Sequence, residues 1–501
     1  MRILTTLGVL SIISHGALLG RTWTDKTGRK LEAEWVSENA TEVTLAKPNG
    51  ETFTYPIAKL SAEDQAFLKS HHGRPTTSPV GTSATVGPAK ELTPDYSKAA
   101  PAKPHAPLNQ RQWPVEIAVG TGLVNPVLLR DDTTHSVYRM GKFEFETGPG
   151  LSAPLVKEIA RTFVAVGELI ERLPWEMPPV PPKGDFFVAR LYPKRSDYDA
   201  IAPPSSGGFY SLQQKVFHVP YESLGISKDG GGKWTKARDL NSDTLVHELT
   251  HMMMDRIIRH VPLWVTEGAA EYVETIPFEK GVMRTGMLPK ALKAYVTHME
   301  SMPARAQTQY TFKASAKTMA EVLHLSAKQW HQRAGTEPPT PTPGRVQLFL
   351  PLPGNEIAAR QHDLYMHACL LFYYFMHLDS PQRGDPMLLL FDRALDEAPK
   401  WRLFDEAVQA YQLRFAEYES AWDAFSQLPG VTKQSNGSLQ YPSTLTPPQA
   451  PPQPLPPVDL STLPDQDLGL SMLPVLIKGR SDPQLQKAFR DGFAKIGIAL
   501  Q

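Results

Sequence analysis

Clustered prolines divide this chain of 501 residues into segments that can fold separately. Proline occurs 47 times, nearly twice its usual share of about 5%. Residues 71–112 are rich in Pro, Thr, Ser and Ala, and a second proline-rich stretch lies within residues 430–460. Because such segments bury too little apolar surface to form a core, we predict linkers at both places. The folded segments are then residues 21–70, residues 113–429 and a short tail, residues 461–501.

Residues 1–20 have the pattern of a secretory signal peptide. Arg2 precedes an apolar run from Ile3 to Ile13, and small residues follow it. The run has the length of a signal core, about 7–15 residues, and is shorter than the roughly 20 residues of a membrane span. We therefore expect an exported protein, periplasmic or extracellular, with no membrane span after signal removal.

Charge and cysteine content argue against a nucleic-acid-binding protein and against a protein stabilised by disulfides. The 52 basic and 52 acidic side chains give a formal net charge of zero, which does not favour a nucleic-acid partner. The one cysteine, Cys369, cannot form an intramolecular disulfide. Stability must therefore come from core burial.

Residues 21–70 predict a small β module. Apolar and polar residues alternate over Leu31–Trp35, Val43–Leu45 and Phe53–Ile57. Asn49–Gly50 between the last two runs is a strong hairpin signal, because both positions tolerate positive φ. The segment resembles the Sla homology domain through its W-T-D-x-T-G opening and K-L-S-x-x-D ending. The resemblance implies a small SH3-like barrel with a protein partner; a barrel that only spaces or solubilises its neighbour is the alternative.

The main body, residues 113–429, predicts strands first and helices after them, which favours an α+β fold. DFFVARLYP and KVFHVP are short β-rich runs, and we assign KVFHVP to the edge strand that would hold an extended substrate. Five helices are predicted, at Pro154–Leu173, Thr244–His260, Val265–Thr275, Ala291–Met299 and Glu356–Leu378. The tail is too small to fold alone, so we expect it to pack on the body.

HELTH, from His247 to His251, is the main candidate for chemistry. Asn241–Asp243 supply candidate N-caps, so the motif lies in the first turns of a helix. At 3.6 residues per turn, the two histidines share one face and can bind one zinc ion, Zn2+. Glu248 lies beside that face, where it can take a proton from a zinc-bound water. Two histidines on an ordinary helix are the alternative.

A third ligand distinguishes these readings. The metzincin arrangement is excluded, because Met254 and Ile257 stand where it needs glycine and histidine. WVTEGAAEY, residues 264–272, resembles the W-x-x-E-G-x-A-x-Y helix of the gluzincin metallopeptidases. The resemblance implies a zincin-like fold with Glu267 as third zinc ligand. Thr266 is a candidate cap of this helix.

Glu271 lies on the same helix face as Glu267 and has two candidate roles. It can accept a hydrogen bond from the far nitrogen of a ligating histidine. It is also the alternative ligand, because Glu267 comes sixteen positions after His251, somewhat fewer than in the related families, whereas Glu271 comes twenty after it.

In gluzincins a Tyr or His from a later helix stabilises the oxyanion. The candidates lie in DLYMHACLLFYYFMHLD: Tyr365 first, then His367 and Tyr373, with aromatic core packing as the alternative for each.

Together these features predict an exported zinc metallopeptidase that hydrolyses a peptide or protein substrate with Glu248 as general base. An endopeptidase is favoured over an aminopeptidase, because no glycine-rich acidic motif that would anchor a free amino terminus is present. The alternatives are a catalytically idle zincin-fold binding or structural protein of the cell envelope, and an enzyme that hydrolyses a non-peptide amide.

Overall fold

A computed structural model describes residues 21–26, 30–38, 42–46, 52–61, 64–65, 92–100, 104–119, 125–182, 184–202, 206–212, 214–236, 243–279, 281–337, 352–380, 384–433 and 439–501. The predicted signal peptide and the Asn49–Gly50 turn lie outside these residues. The chain divides into two compact units, one of residues 11–88 and one that contains residues 89–501. The described residues mix helices with β-sheets, which agrees with the predicted α+β class.

The N-terminal unit contains a four-stranded antiparallel sheet. Its strands are β1 (Arg21–Thr24), β2 (Lys30–Glu38), β3 (Glu42–Ala46) and β4 (Thr52–Pro56), paired in the order β1-β2-β3-β4. Ala46 pairs with Thr52, as expected for two strands joined by the predicted hairpin.

The two ends of the W-T-D…K-L-S-x-x-D pattern contact each other in this unit. Trp23 is buried, and the Asp64 carboxylate accepts a 2.7 Å hydrogen bond from the Thr24 backbone N–H. The Ser61 backbone N–H donates to the Thr24 carbonyl at 2.8 Å. The pattern therefore joins the first strand to the end of the unit, because its polar residues satisfy backbone groups beside a buried tryptophan.

The larger unit is built around a six-stranded sheet. Its strands are β6 (Val127–Asp131), β7 (Ser136–Met140), β8 (Phe143–Thr147), β9 (Phe187–Tyr192), β10 (Phe209–Ser211) and β11 (Val216–Pro220). Their spatial order is β10-β11-β9-β8-β7-β6; β11, β9 and β8 are parallel neighbours, and the other pairs are antiparallel. KVFHVP is therefore β11, an inner strand. The assignment of KVFHVP to the edge is wrong, because FYS pairs with its outer side as β10.

Helix α1 (Ala153–Arg172) packs one apolar face on this sheet. Its buried residues recur at helical spacing, with Phe163 at the centre. The Phe163 ring contacts the rings of Phe143, Phe145 and Phe217 edge-on, with centroids 5.0–5.6 Å apart. This aromatic group forms the core between helix and sheet.

The remaining described elements are mainly helical. The helices are α2 (Arg195–Asp199), α3 (Asp243–Met253), α4 (Leu263–Thr275), α5 (Leu288–Arg305), α6 (Ala316–Leu323), α7 (Ala327–Ala334), α8 (Gly354–Tyr373) with a π-turn (Tyr374–Leu378), α9 (Asp385–Ser426), α10 (Leu473–Ile477) and α11 (Asp482–Ala494). Three small sheets among the described residues use β5 (Ile117–Ala118), β12 (Ile226–Lys228), β13 (Trp234–Lys236), β14 (Phe278–Glu279), β15 (Val282–Met283), β16 (Thr432–Lys433) and β17 (Leu439–Gln440).

Helix α3 is shorter than the predicted Thr244–His260. It ends at Met253, and residues 254–260 form successive turns. The Met254 N–H reaches the carbonyls of both Thr250 and His251, so the last helical turn tightens before it ends. The helix C-terminus therefore lies one half-turn after the second histidine of HELTH.

Helices α4 and α8 pack unusually close. A Cβ atom on Gly268 of α4 would lie 2.4 Å from the Ala368 carbonyl oxygen of α8 and 3.0 Å from Phe372 Cβ. Only glycine fits this crossing without moving a backbone. Helix α4 is accordingly buried on all sides from Leu263 to Val273.

Described parts of both predicted linkers belong to the larger unit and form hydrogen bonds within it. Arg111 is buried, and its guanidinium donates two 2.8 Å hydrogen bonds to Asp392 of α9. The packed body therefore begins before Trp113, the predicted start, because a buried guanidinium needs this partner. In the second linker, the Leu455 N–H donates to Thr93 Oγ1 at 3.1 Å.

The C-terminal tail packs on the body. Ser481 and Gln484 form a capping box at the start of α11. Its Phe489 lies edge-on to Tyr374 of the π-turn, with ring centroids 4.7 Å apart. Across the described parts of the chain, none of the helices has both the length and the hydropathy that crossing a membrane requires.

Candidate metal centre

Helix α3 presents HELTH to the interior. His247, Glu248 and His251 are all buried, and the two imidazole rings lie 4.8 Å apart, nearly perpendicular to each other. The motif is therefore not on a solvated helix face. The predicted shared face of the two histidines is observed.

Helix α4 brings Glu267 to both histidines. Its Oε2 lies 3.3 Å from His247 Nε2 and 3.5 Å from His251 Nε2. The three residues offer one ligand atom each within 4.8 Å of one another, an arrangement that could hold a metal ion. Thr266 does not cap this helix, because α4 begins at Leu263 with Pro262 as N-cap. Pro262 ends the preceding turn and so sets the start of α4.

Glu271 lies on the other side of the His247 ring. Its Oε1 is 3.2 Å from His247 Nδ1, and it also accepts a hydrogen bond from Tyr295 of α5. The structure thus places Glu271 beside His247 Nδ1, and Glu267 beside the Nε2 atoms of both histidines.

Glu274 is a site residue that the sequence analysis missed. Its Oε2 lies 3.4 Å from His247 Nδ1. The spacing of Glu267, Glu271 and Glu274, at i, i+4 and i+7 on one helix, was the available signal. His247, Glu271 and Glu274 form a second group of potential metal-binding atoms.

The site concentrates negative charge. Burial acts to raise the pKa of Glu267, but the charge on His251 and contacts with both imidazoles outweigh it and lower the pKa to about 2. Burial acts to lower the pKa of His247, yet the surrounding carboxylates raise it well above the ordinary value. Four carboxylates, those of Glu248, Glu267, Glu271 and Glu274, surround two imidazoles. Such a buried excess of negative charge is stabilised by a cation.

Glu248 has no hydrogen-bond partner for either oxygen among the described residues, although it is fully buried. Burial raises its pKa, and the charges of His251 and His247 and the nearby Tyr210 backbone N–H act in the opposite direction. A buried carboxylate without a partner is rare and needs a reason. One such reason is that the Glu248 carboxylate accepts a proton from a water molecule or from a substrate.

Of the three candidate oxyanion donors, only Tyr365 lies at this site. Its ring centroid is 5.8 Å from that of His247, and the side chain is buried on α8. His367 instead accepts the Ser315 N–H and contacts Asp363. Tyr373 packs against His377 and Phe493. His367 and Tyr373 are therefore core residues, as in their alternative interpretation.

The edge of the large sheet runs past the same site. Helix α3 packs against β10 and β11, and β10 is the last strand of the sheet among the described residues. Within β10, the backbone N–H of Tyr210 lies beside the Glu248 carboxylate and acts to lower its pKa.

Comparison with known proteins bears on the N-terminal unit. The SLA1 homology domain 1 family matches residues 19–75, so this part of the chain contains a domain of that kind. A search of curated proteins finds no match to the chain.

Proposed function

We propose that the larger unit is a zincin-like, gluzincin-type metallopeptidase that hydrolyses peptide bonds at a zinc ion. The observation that carries the proposal is the convergence of His247 Nε2, His251 Nε2 and Glu267 Oε2 beside the unpartnered carboxylate of Glu248.

The residues fit zinc as the bound ion. Two imidazole nitrogens and one carboxylate oxygen are a donor set that zinc uses in catalytic sites, where a fourth position stays open. His251 Nε2 is buried and has no hydrogen-bond partner in the part of the chain that the structure describes, and the excess of carboxylates favours a cation. Glu271 would accept the Nδ1–H of His247 and so fix the ring with Nε2 turned towards Glu267.

When bound, the zinc ion supplies a Lewis acid that polarises the substrate carbonyl and lowers the pKa of a water molecule towards about 7. Glu248 would take a proton from that water as the water oxygen forms a bond to the carbonyl carbon, and the peptide C–N bond would then break. Glu248 passes the same proton to the leaving amine. Tyr365 is the candidate donor to the oxyanion.

Among the described residues β10 has no partner on its outer side, so this edge offers main-chain groups to an extended substrate beside Glu248. This arrangement favours an endopeptidase, because an edge strand can bind a chain on both sides of the scissile bond. Export through the residues 1–20 signal and protein binding by an SH3-like N-terminal barrel are further parts of the proposal.

The test is hydrolysis of dye-labelled casein by the full chain and by a Glu248→Gln variant. We expect the parent to hydrolyse casein and the variant to retain zinc but lose at least about 100-fold in rate. Glu171→Gln, an exposed position on α1, is the matched control and should remain active. Equal rates for parent and Glu248→Gln would contradict the mechanism. Zinc binding without hydrolysis of casein or of a peptide library would favour the idle, structural protein.

A further inference from the structure

A half-buried carboxylate joins the edge of the sheet to the end of the HELTH helix. Asp255 follows α3, and its Oδ1 accepts hydrogen bonds from Lys215 Nζ at 2.6 Å and from Tyr210 Oη at 3.1 Å. Tyr210 belongs to β10, and Lys215 lies in the turn between β10 and β11. Asp255 Oδ1 thus contacts both strand β10, through Tyr210, and the β10–β11 turn, through Lys215.

The clamp, defined as Asp255 with Lys215 and Tyr210, is shielded from solvent. The Tyr210 residue is 3% exposed, and the Asp255 and Lys215 side chains are 10% and 20% exposed. A charge pair with so little water around it is screened much less than a surface pair. Removing the Asp255 charge would also leave the Lys215 ammonium without the opposite charge that Asp255 supplies, which would lower the free energy of unfolding.

Lys215 adopts a backbone conformation that lysine rarely takes. Its φ is +61°, in the left-handed region, and its N–H donates to the Ser211 carbonyl at 2.7 Å. A non-glycine residue stays in this region only where its surroundings hold it there. The ion pair with Asp255 provides that restraint at the turn of the β10–β11 hairpin.

The clamp acts close to Glu248. Asp255 lies four residues after His251, and the Met254 N–H still bonds to the carbonyls of Thr250 and His251. The turn that carries Asp255 is therefore continuous with α3. At the other end, Tyr210 contributes both its hydroxyl to Asp255 and its backbone to the strand edge beside Glu248. The distance between this edge and Glu248 consequently depends on the clamp.

We propose that Asp255 is a positioning residue which, through Tyr210 and Lys215, holds the outer edge of β10 at the distance from Glu248 that an extended peptide substrate requires. This inference rests on the proposed peptidase function. The Tyr210 backbone N–H lies beside Glu248, whereas the Tyr210 hydroxyl and the side chains of Asp255 and Lys215 act through the placement of the strand.

Two variants test different halves of the clamp. Asp255→Asn removes the charge pair with Lys215 but keeps an oxygen for Tyr210, and Tyr210→Phe removes only the hydroxyl. The matched control is Glu144→Gln, which breaks a 2.8 Å pair with Arg139 across β7 and β8 in the same sheet. Each full-length variant is assayed for zinc content and for hydrolysis of dye-labelled casein and of a blocked dipeptide amide.

For casein we expect KM to rise about tenfold in Asp255→Asn and less in Tyr210→Phe, with kcat and zinc content nearly unchanged. The dipeptide amide is too short to follow the strand, so its kinetics should not change. Glu144→Gln should match the parent. Equal losses on both substrates, or no loss on casein, would overturn the inference.

A second measurement is independent of turnover. In a Glu248→Gln background, binding of the labelled casein should weaken about tenfold when Asp255→Asn is added. Hydrogen exchange should become faster in residues 209–219 and stay unchanged in residues 136–147. Unchanged casein binding would overturn the role of the clamp. Absence of hydrolysis by the parent would instead contradict the proposed function, while the binding result would still decide on the clamp.

Discussion

Replacing Gly268 with alanine tests the helix crossing that supports Glu267. The added Cβ would lie 2.4 Å from the Ala368 carbonyl oxygen, about 1 Å inside ordinary contact, and 2.9 Å from the Ala368 carbonyl carbon. Backbone atoms cannot rotate away as a flexible side chain can, so α4 and α8 must separate. Overpacking of this kind costs about 1–3 kcal/mol or more, against a gain of about 1 kcal/mol in helix propensity.

Gly167→Ala is the matched control. Gly167 lies inside α1, and its added Cβ would meet Phe143 at 3.8 Å and Met253 at 3.9 Å, which is ordinary contact. The same substitution should therefore stabilise here by roughly 0.5–1 kcal/mol, because alanine favours the helix. Both variants replace a helical glycine with alanine, but we expect opposite changes in the free energy of unfolding.

The assay is urea unfolding of both full-length variants, followed by circular dichroism and tryptophan fluorescence. Gly268→Ala should move the midpoint to lower urea, and Gly167→Ala should move it to higher urea. Because Gly268 follows Glu267, the first variant should also bind zinc more weakly. A Gly268→Ala protein as stable as Gly167→Ala would refute the close-crossing argument.

Two further predictions concern acid and zinc affinity. Burial, with smaller contributions from Arg190 and Arg259 respectively, lowers the pKa of His218 to about 3 and that of His260 to about 4. Below about pH 6.5 these histidines are protonated in the unfolded chain but stay neutral in the folded protein. Each of them should therefore lower the free energy of unfolding by about 1.4 kcal/mol per pH unit down to about pH 4. Thermal unfolding at pH 7.5 and pH 5 measures this loss, which should be smaller in His218→Gln; an identical loss would contradict the assignment. Tyr295→Phe removes the hydroxyl that orients Glu271 and should weaken zinc binding about tenfold in a chelator competition; unchanged affinity would exclude that role.

The candidate site was largely accessible from sequence, because its parts lie close together along the chain. A helical repeat places His247 and His251 on one face whatever the rest of the fold does, and a single further helix supplies Glu267. The gluzincin resemblance, with its Tyr or His on a later helix, led to the candidate Tyr365, whose distance to His247 depends on tertiary packing. Local periodicity distinguished neither Tyr365 from Tyr373 nor Glu271 from Glu274.

The parts that sequence analysis missed depend on contacts between distant residues. The β7–β8 hairpin around Gly141 is the exception, because its alternating buried and half-buried residues are a local signal. The edge position of β10 follows from which strand pairs last, and three residues contain little periodicity. The Asp255 clamp and the Arg111–Asp392 pair join residues 40 and 281 positions apart, which no local pattern encodes.

The central claim is that His247, His251 and Glu267 bind one zinc ion. Elemental analysis of the purified full chain, reconstituted with zinc and desalted, tests it most directly when Glu267→Ala and Glu171→Gln are measured in parallel. We expect about one zinc per chain in the parent and in Glu171→Gln, and little or none in Glu267→Ala. Full zinc content in Glu267→Ala, or none in the reconstituted parent, would contradict the account.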